Sequence, residues 1–423
     1  MTRIVVLAVV LSTGCKIANE ESCQRPENFG KPECTGGGDA AMVCASNDDC
    51  TGADATLCKL SEGVCVGCLT MTDCSDTTPV CNLENACEGC NEHADCESSS
   101  NACNFASGAC FESDDIAYVR AGATGAGECE QSAPCPSLQA AVDTGKPFIK
   151  LEGTTRIDAN EKVTIGRDVT LLADPGTAIR STSGPAIEIN NDANVTIQDL
   201  EISNNVSGDA ILISGNDTAV TLERVFLLNN NGGRGVTATA GKKLVMRGCV
   251  VVVNQLGGVS TSDIGIEITN TIVVGNGSGG SAVGGVRVIS PDNPASTIFE
   301  FNTIANNVTD GNNDVRSGVT CSLEFPMRNN IITGNKLDPI CTADHSLFSG
   351  VTPPDGLGNM ATDDPMFLDT QTGNARMANF FRLDLASPAV DKADSASTVM
   401  IDIDGQSRPQ GDEKDIGADE VMR

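Results

Sequence analysis

The sequence predicts an all-β protein in which a right-handed parallel β-helix follows a small, disulfide-rich repeat region. A repeat of about 24 residues fills the middle of the chain, and 14 of the 20 cysteines precede it between Cys23 and Cys110. Sustained 3.6-residue periodicity is absent, so helical classes are disfavoured. The observations therefore favour a solenoid whose coils stack on one another.

Six segments carry this repeat, and each consists of a short β-branched run, a polar corner, a second apolar run and then Asn. They span 194–205, 219–231, 243–255, 265–277, 297–308 and 324–335. Counting from Val195 to Val220, Leu244 and Ile266 gives steps of 25, 24 and 22 residues, and the next step, to Ile298, is 32. These steps suit one coil each. The Gly-rich stretches 231–235 and 275–285 are interpreted as loops that leave the coil.

Asn at the end of each repeat has two physical uses. It tolerates the left-handed backbone conformation at a bend. Stacked Asn amides of successive coils can also form a hydrogen-bonded ladder. The sequence therefore predicts a structural role for these residues.

The first 14 residues are predicted to be a signal peptide. Arg3 precedes the apolar run Ile4–Leu11, which is too short to span a bilayer. The following Gly14-Cys15 resembles a bacterial lipobox, although Ser12 replaces the usual aliphatic residue. The resemblance implies lipidation of Cys15, a tether over 15–43 and attachment to the outer membrane or cell surface. The alternative is an ordinary secreted protein in which Cys15 is one more thiol.

The formal net charge of −30 argues against nucleic acid as a partner and against polyanions unless a cation bridges them. We expect a monomer. Its partners would be the membrane, through the lipidated N-terminus, and either an extracellular polysaccharide or another surface protein.

Twelve cysteines form three sets of four over 44–112, and an exported chain makes them disulfide candidates. The sets follow Cys23 and Cys34, and they are Cys44, Cys50, Cys58 and Cys65, then Cys68, Cys74, Cys81 and Cys87, then Cys90, Cys96, Cys103 and Cys110. Three connectivities fit each set. The two CxxC junctions between sets could instead bind zinc, but the only nearby histidine is His93.

The segment 118–152, with YV, CPSLQAAV and PFIKLEG in order, resembles the entry of parallel β-helix proteins of the pectate-lyase-like superfamily. The resemblance implies a β-helix over 113–345 with a short capping helix at 136–142, pinned by a Cys129–Cys135 disulfide. Cys321 and Cys341 are further partners across the last coils. Cys249 is expected to be a buried free thiol.

The C-terminal region, 346–423, resembles the "choice-of-anchor Q" domain that closes many bacterial surface β-helix proteins. The resemblance rests on Asp364-Pro365, Ser387–Asp391, Asp402–Pro409 and Asp415–Glu420. It implies a surface protein rather than one activity, and the segment is expected to cap the C-terminal end of the β-helix.

Asp402, Asp404 and Asp415 are candidate ligands of a calcium ion, although they lack EF-hand spacing. The alternative is that these carboxylates cap turns and pair with Arg408. No other cofactor is expected.

The main functional hypothesis is a lipid-anchored surface protein whose β-helix is a non-enzymatic binding, adhesion or structural surface. The alternative is a cation-assisted polysaccharide lyase, for which Lys243 and Arg247 are the candidate bases. A cluster of acidic and basic side chains on one face of neighbouring coils would favour the lyase. The scarcity of aromatic residues, with no Trp and one Tyr, is unfavourable for stacking sugars.

Overall fold

The computed structural model describes residues 44–125, 127–153, 157–159, 162–278, 280–292, 296–309 and 317–422. These residues divide into two compact units. The cysteine-rich unit comprises residues 44–98 and Cys103–Cys110, and the β-helix unit comprises Ser99–Ala102 and the chain from Phe111 onward. Cys15, Cys23 and Cys34 lie outside the described residues. In the described ranges, no helix is long and apolar enough to cross a membrane.

The cysteine-rich unit is built from three similar disulfide-bonded modules. Each contains a 3₁₀ turn and a two-stranded antiparallel hairpin: Asn47–Asp49 with Leu57–Lys59 and Val64–Val66, Met71–Asp73 with Val80–Cys81 and Cys87–Glu88, and His93–Cys96 with Cys103–Asn104 and Ala109–Cys110. In every set the first cysteine bonds the third and the second bonds the fourth, as Cys44–Cys58, Cys50–Cys65, Cys68–Cys81, Cys74–Cys87, Cys90–Cys103 and Cys96–Cys110. All four cysteines of the two CxxC junctions take part in these disulfides, so they have no thiolate that could bind zinc.

The β-helix unit is a parallel β-solenoid made of three sheets, as the sequence predicts. Sheet A contains Ile116–Arg120, Phe148–Glu152, Val169–Ala173, Asn194–Gln198, Ala219–Glu223, Lys243–Arg247, Gly265–Thr269, Ile298–Glu300, Pro326–Arg328 and Thr342–Asp344. Sheet B contains Ile157–Ala159, Ala178–Ser181, Glu201–Ser203, Phe226–Leu228, Val250–Val252, Ile272–Val274, Thr303–Ala305, Ile331–Thr333, Leu347–Ser349 and Met360–Thr362. Sheet C contains Val163–Ile165, Ile187–Ile189, Ile211–Ser214, Val236–Thr239, Val259–Ser262, Val286–Ile289 and Val319–Cys321. Short 3₁₀ turns lie at Ser113–Asp115 and Thr372–Asn374.

The register of sheet A follows the predicted repeat up to its fourth coil. Val195, Val220, Leu244 and Ile266 are direct neighbours in consecutive strands, and all are buried inside the coils. The next expected neighbour, Ile298, is wrong by one residue, because it pairs with Glu267. A one-residue shift reverses the face of a strand, so Phe299 is the residue that enters the core.

A ladder of buried Asn side chains runs through the corner after sheet B, as predicted. Nδ2 of Asn254 donates to Oδ1 of Asn276 at 2.9 Å, and Asn276 donates in the same way to Asn307 at 3.0 Å. Gly235 and Gly285, the last residues of the two Gly-rich stretches, immediately precede sheet C strands, and neither lies in a strand. A Cβ at Gly285 would lie 2.5 Å from the Gly318 carbonyl oxygen and 2.9 Å from Nδ2 of Asn307. Glycine at this position therefore allows close packing against the next coil and the ladder.

The N-terminal end of the β-helix is covered by the helix Leu138–Asp143, whose N-cap Ser137 accepts a hydrogen bond from the Ala140 N–H. Cys129–Cys135 and Cys321–Cys341 are disulfide-bonded. Cys249 is a buried free thiol, and burial raises its pKa to about 12.

The C-terminal segment, residues 363–422, packs against the side of the β-helix that sheet B forms, and a cap at the C-terminal end stays a prediction. Sheet B is apolar on both faces, because runs such as Val250–Val252 place one side chain inward and two outward. Phe380, Phe381 and Ile403 of the C-terminal segment pack on the outward ones. Both faces of such a sheet must be buried, and the C-terminal segment buries the outer face.

Candidate functional site

A row of polar and charged side chains runs along the outer face of sheet A. The in-register positions are Gln198, Glu223, Arg247, Thr269, Glu300, Arg328 and Asp344. Neighbouring parallel strands lie about 4.8 Å apart, so Gln198 and Arg247 both reach Glu223, and Arg328 reaches Glu300. The row places charges of opposite sign beside one another across successive coils.

Lys243 and Arg247, the two candidate lyase bases, share the carboxylate of Glu267, which lies on the neighbouring strand two residues before the row position Thr269. Lys243 Nζ lies 2.7 Å from Glu267 Oε2, and Arg247 Nη2 lies 2.6 Å from Glu267 Oε1. Glu223 lies on the other side of Arg247, at 3.5 Å. Burial alone would raise the pKa of Glu267, but the hydrogen bonds from Lys243 and Arg247 outweigh it and lower this pKa. The four side chains form one ion-paired network.

A second network lies farther along the same row. Arg328 Nε lies 2.7 Å from Glu300 Oε1, and its Nη1 lies 3.1 Å from Asp394 Oδ2. Ser397 Oγ donates to the other Glu300 oxygen at 2.5 Å. Partial burial opposes the charged form of Arg328, but the bonds to Glu300 and Asp394 prevail and raise its pKa. The network ties the C-terminal segment to sheet A.

Between the row and the C-terminal segment lies a groove of about 1070 Å³, which we call the lateral groove. The sheet wall carries Glu223, Arg247 and Glu267 of the first network together with Glu300 and Arg328 of the second, and the opposite wall is the segment from Thr398 to Ile403. Met400 and Ile401 on that wall are more than half exposed, at 55% and 53%. The groove is therefore charged on one wall and aliphatic on the other.

His345 closes one end of the lateral groove. It holds a left-handed backbone conformation with φ of 45°, and its buried Nδ1 atom has no hydrogen-bond partner among the described residues. Thr297, which also lines the groove, likewise has no partner for its buried Oγ1 atom within the part of the chain that the structure describes. Both atoms are shielded from solvent.

The predicted calcium ligands do not all come together. Asp402 and Asp404 lie close to Asp419, with one oxygen of each within 4.8 Å of the others. Asp415, by contrast, accepts hydrogen bonds from the backbone N–H groups of Asp391 and Val421. Calcium at these residues stays a prediction.

The carboxylate oxygens of Asp402, Asp404 and Asp419 already have hydrogen-bond partners in the protein. Asp404 binds the Arg382 guanidinium through both oxygens, at 2.6 and 2.7 Å. Asp402 accepts the backbone N–H groups of Asp404, Gln406 and Glu420. Burial raises the pKa of Asp419 to about 6, although the Leu383 N–H and Arg382 oppose this shift.

Sequence reasoning found Lys243 and Arg247 but missed their partners. The repeat itself contained the signal for Glu223, because Glu223 and Arg247 each lie three residues after the aligned Val220 and Leu244. No comparable signal exists for Asp394, which reaches Arg328 from 66 residues away in the sequence.

These features define a parallel β-helix protein with a disulfide-rich N-terminal unit and a charged lateral groove. No family model and no curated protein matches the chain. Among solved structures, the crystal structure of pectate lyase Pel9A is similar with a TM-score of 0.43 and 15% identity, covering 72% of this chain and 96% of that one. The A-module of the Azotobacter vinelandii mannuronan C-5 epimerase AlgE4 gives a TM-score of 0.19 and 15% identity, covering 57% and 95%.

Proposed function

We propose that the protein is an exported, lipid-anchored bacterial surface protein whose β-helix is a non-enzymatic binding or structural surface. The predicted lipidation of Cys15 and the resemblance of the C-terminal region to choice-of-anchor Q domains support the location. Eight disulfides among the described residues also support export, because such bonds persist in oxidising compartments.

The observation that carries the non-enzymatic role is the pairing of Lys243 and Arg247 with Glu267. A lyase base must lie within hydrogen-bond reach of the sugar proton that it removes. Both candidate side chains are instead bound to the Glu267 carboxylate, at 2.7 and 2.6 Å. This pairing gives Lys243 and Arg247 a structural role in joining neighbouring coils.

A polysaccharide lyase remains the second candidate, and one observation favours it: Lys243 and Arg247 do converge with carboxylates on one face of neighbouring coils. The test is incubation of the protein with a panel of neutral and uronate polysaccharides, with and without calcium. Unsaturated uronate and new reducing ends would both be followed. We expect no product. A product that disappears in Lys243→Ala or Arg247→Ala but persists in Ser260→Ala, on sheet C, would overturn the proposal.

The membrane anchor is tested separately. Cells expressing the full chain are grown with a labelled fatty acid, and the protein is isolated and partitioned into detergent. We expect label and detergent partitioning for the native chain and neither for Cys15→Ala. If the native chain carries no label, the lipid anchor is refuted and the alternative of an ordinary secreted protein is favoured.

A further inference from the structure

We propose that the lateral groove binds an extended, basic segment of a partner polypeptide, by ion pairing on the sheet A wall and aliphatic contact on the opposite wall. The proposal deepens the binding role above and rests on it. Three properties of the groove carry it: its length, its charge and its aliphatic wall.

The length suits a short extended segment. The row from Glu223 to Asp344 crosses six neighbouring strands of sheet A. Five interstrand steps of about 4.8 Å give a row of roughly 24 Å, which about seven extended residues would cover. Alternate side chains of such a segment point to opposite walls.

The charge of the groove is complementary to a cation. Its lining contains six carboxylates and three guanidinium groups, which leaves a formal charge of −3. The carboxylates are Glu223, Glu267, Glu300, Asp344, Asp394 and Asp402, and the guanidinium groups belong to Arg224, Arg247 and Arg328. An anionic polymer such as a polyuronate would meet net repulsion, whereas lysine or arginine side chains would be attracted.

The second wall favours a polypeptide over a sugar chain. The described lining contains no Phe, Tyr or Trp, which sugars use as stacking surfaces. It presents instead the aliphatic side chains of Val399, Met400 and Ile401. Methionine adapts its shape to a bound apolar side chain, so alternate aliphatic residues of the partner would pack here.

The test measures the affinity of a fluorescein-labelled octapeptide of alternating Lys and Leu by fluorescence anisotropy. Because the whole chain is acidic, a control must separate groove binding from general attraction. Glu223→Gln with Asp344→Asn removes two charges from the groove. Asp412→Asn with Glu413→Gln removes two exposed charges that do not line it.

We expect the groove variant to lose roughly tenfold in affinity, while the control variant changes by less than about twofold. Equal losses in the two variants would show attraction to acidic surface alone and overturn the proposal. It would also be overturned if the same peptide with Glu in place of Lys, or an oligogalacturonate, bound as tightly.

The aliphatic wall is tested with Met400→Ser, an exposed substitution whose folding is checked by circular dichroism. We expect weaker binding of the Lys-Leu peptide and unchanged binding of a Lys-Ser peptide. An equal effect on both peptides would contradict contact with this wall. The polysaccharide assay separates the two proposals: a turnover product defeats the non-enzymatic role, whereas absent peptide binding without turnover defeats this inference alone.

Discussion

At the scale of single residues, Arg408 shows how the C-terminal segment is fixed. Its guanidinium is fully buried, lies 4.4 Å from the Phe301 ring centre and pairs with Glu420 at 2.9 Å. It also donates to the carbonyl oxygens of Gly417 and Asp415. The sequence analysis gave pairing of Arg408 with Asp402, Asp404 and Asp415 as the alternative to calcium binding. The carboxylate that pairs with Arg408 is instead that of Glu420.

We expect Arg408→Ala to lower the free energy of unfolding by about 3–5 kcal/mol, because it leaves the buried Glu420 carboxylate without its cation. Urea denaturation measures the loss. Lys162→Ala is the control, since Lys162 and Glu188 form a more exposed pair whose loss costs about 1 kcal/mol or less. Equal losses in the two variants would contradict the role of Arg408.

The buried Asp419 predicts a pH effect of definite sign. Its pKa is raised from 3.8 to about 6 by burial. A carboxyl that holds its proton more tightly in the folded state stabilises the fold fully below its unfolded pKa, and this contribution is lost as pH rises through the folded value. The shift corresponds to a loss of about 3 kcal/mol.

Asp419→Asn should remove this loss. We expect the wild type to lose stability relative to Asp419→Asn between pH 4 and pH 7, as measured by urea denaturation at each pH. Exposed Asp412→Asn should keep the wild-type profile. Parallel profiles for wild type and Asp419→Asn would show that Asp419 titrates normally.

At the scale of structural elements, the Asn ladder joins the coils through hydrogen bonds inside the corner. Asn276 accepts from Asn254 and donates to Asn307 and to the Val251 carbonyl. We expect Asn276→Ala to cost about 3 kcal/mol in unfolding free energy, because it leaves buried donors and acceptors unpaired.

The control for the ladder is Asn194→Ala, since Asn194 is exposed at the start of a sheet A strand. A change within about 0.5 kcal/mol is expected there. Thermal unfolding monitored by circular dichroism compares the two variants. If Asn276→Ala loses no more stability than Asn194→Ala, the ladder does not stabilise the fold.

The elements differ in how much of them the sequence could predict. The spacing of Val195, Val220, Leu244 and Ile266 was enough for the register of four coils, because in-register stacking requires a near-constant repeat. The longer step to Ile298 did not show which residue of that strand faces the core. The register predicted there was therefore wrong by one residue.

Other features had no local signal. The first-to-third and second-to-fourth disulfide pattern depends on three-dimensional proximity, and spacing leaves three connectivities open. The lateral groove depends on contacts such as Arg328–Asp394 between distant segments. Its carboxylate Glu223 was predictable from the repeat, but its second wall was not.

At the scale of the whole molecule, the β-helix unit depends on burying the outer face of sheet B. Leu228, Val252 and Val274 point outward from successive coils and contact the C-terminal segment. Without that segment they would form a continuous apolar patch across several coils. Such patches promote association in water.

A chain that ends at Thr362 should therefore form soluble oligomers or aggregates and bind a hydrophobic dye. The exposed patch would lie along in-register strands, so self-association would bury it again between two molecules. Size-exclusion chromatography with light scattering measures the state. Removal of residues 1–43, which precede the three disulfide-bonded modules, is the control and should leave the β-helix unit monomeric. A monomeric truncated chain with a native circular dichroism spectrum would show that sheet B tolerates water on its outer face, and the C-terminal segment would then act only as the second wall of the lateral groove.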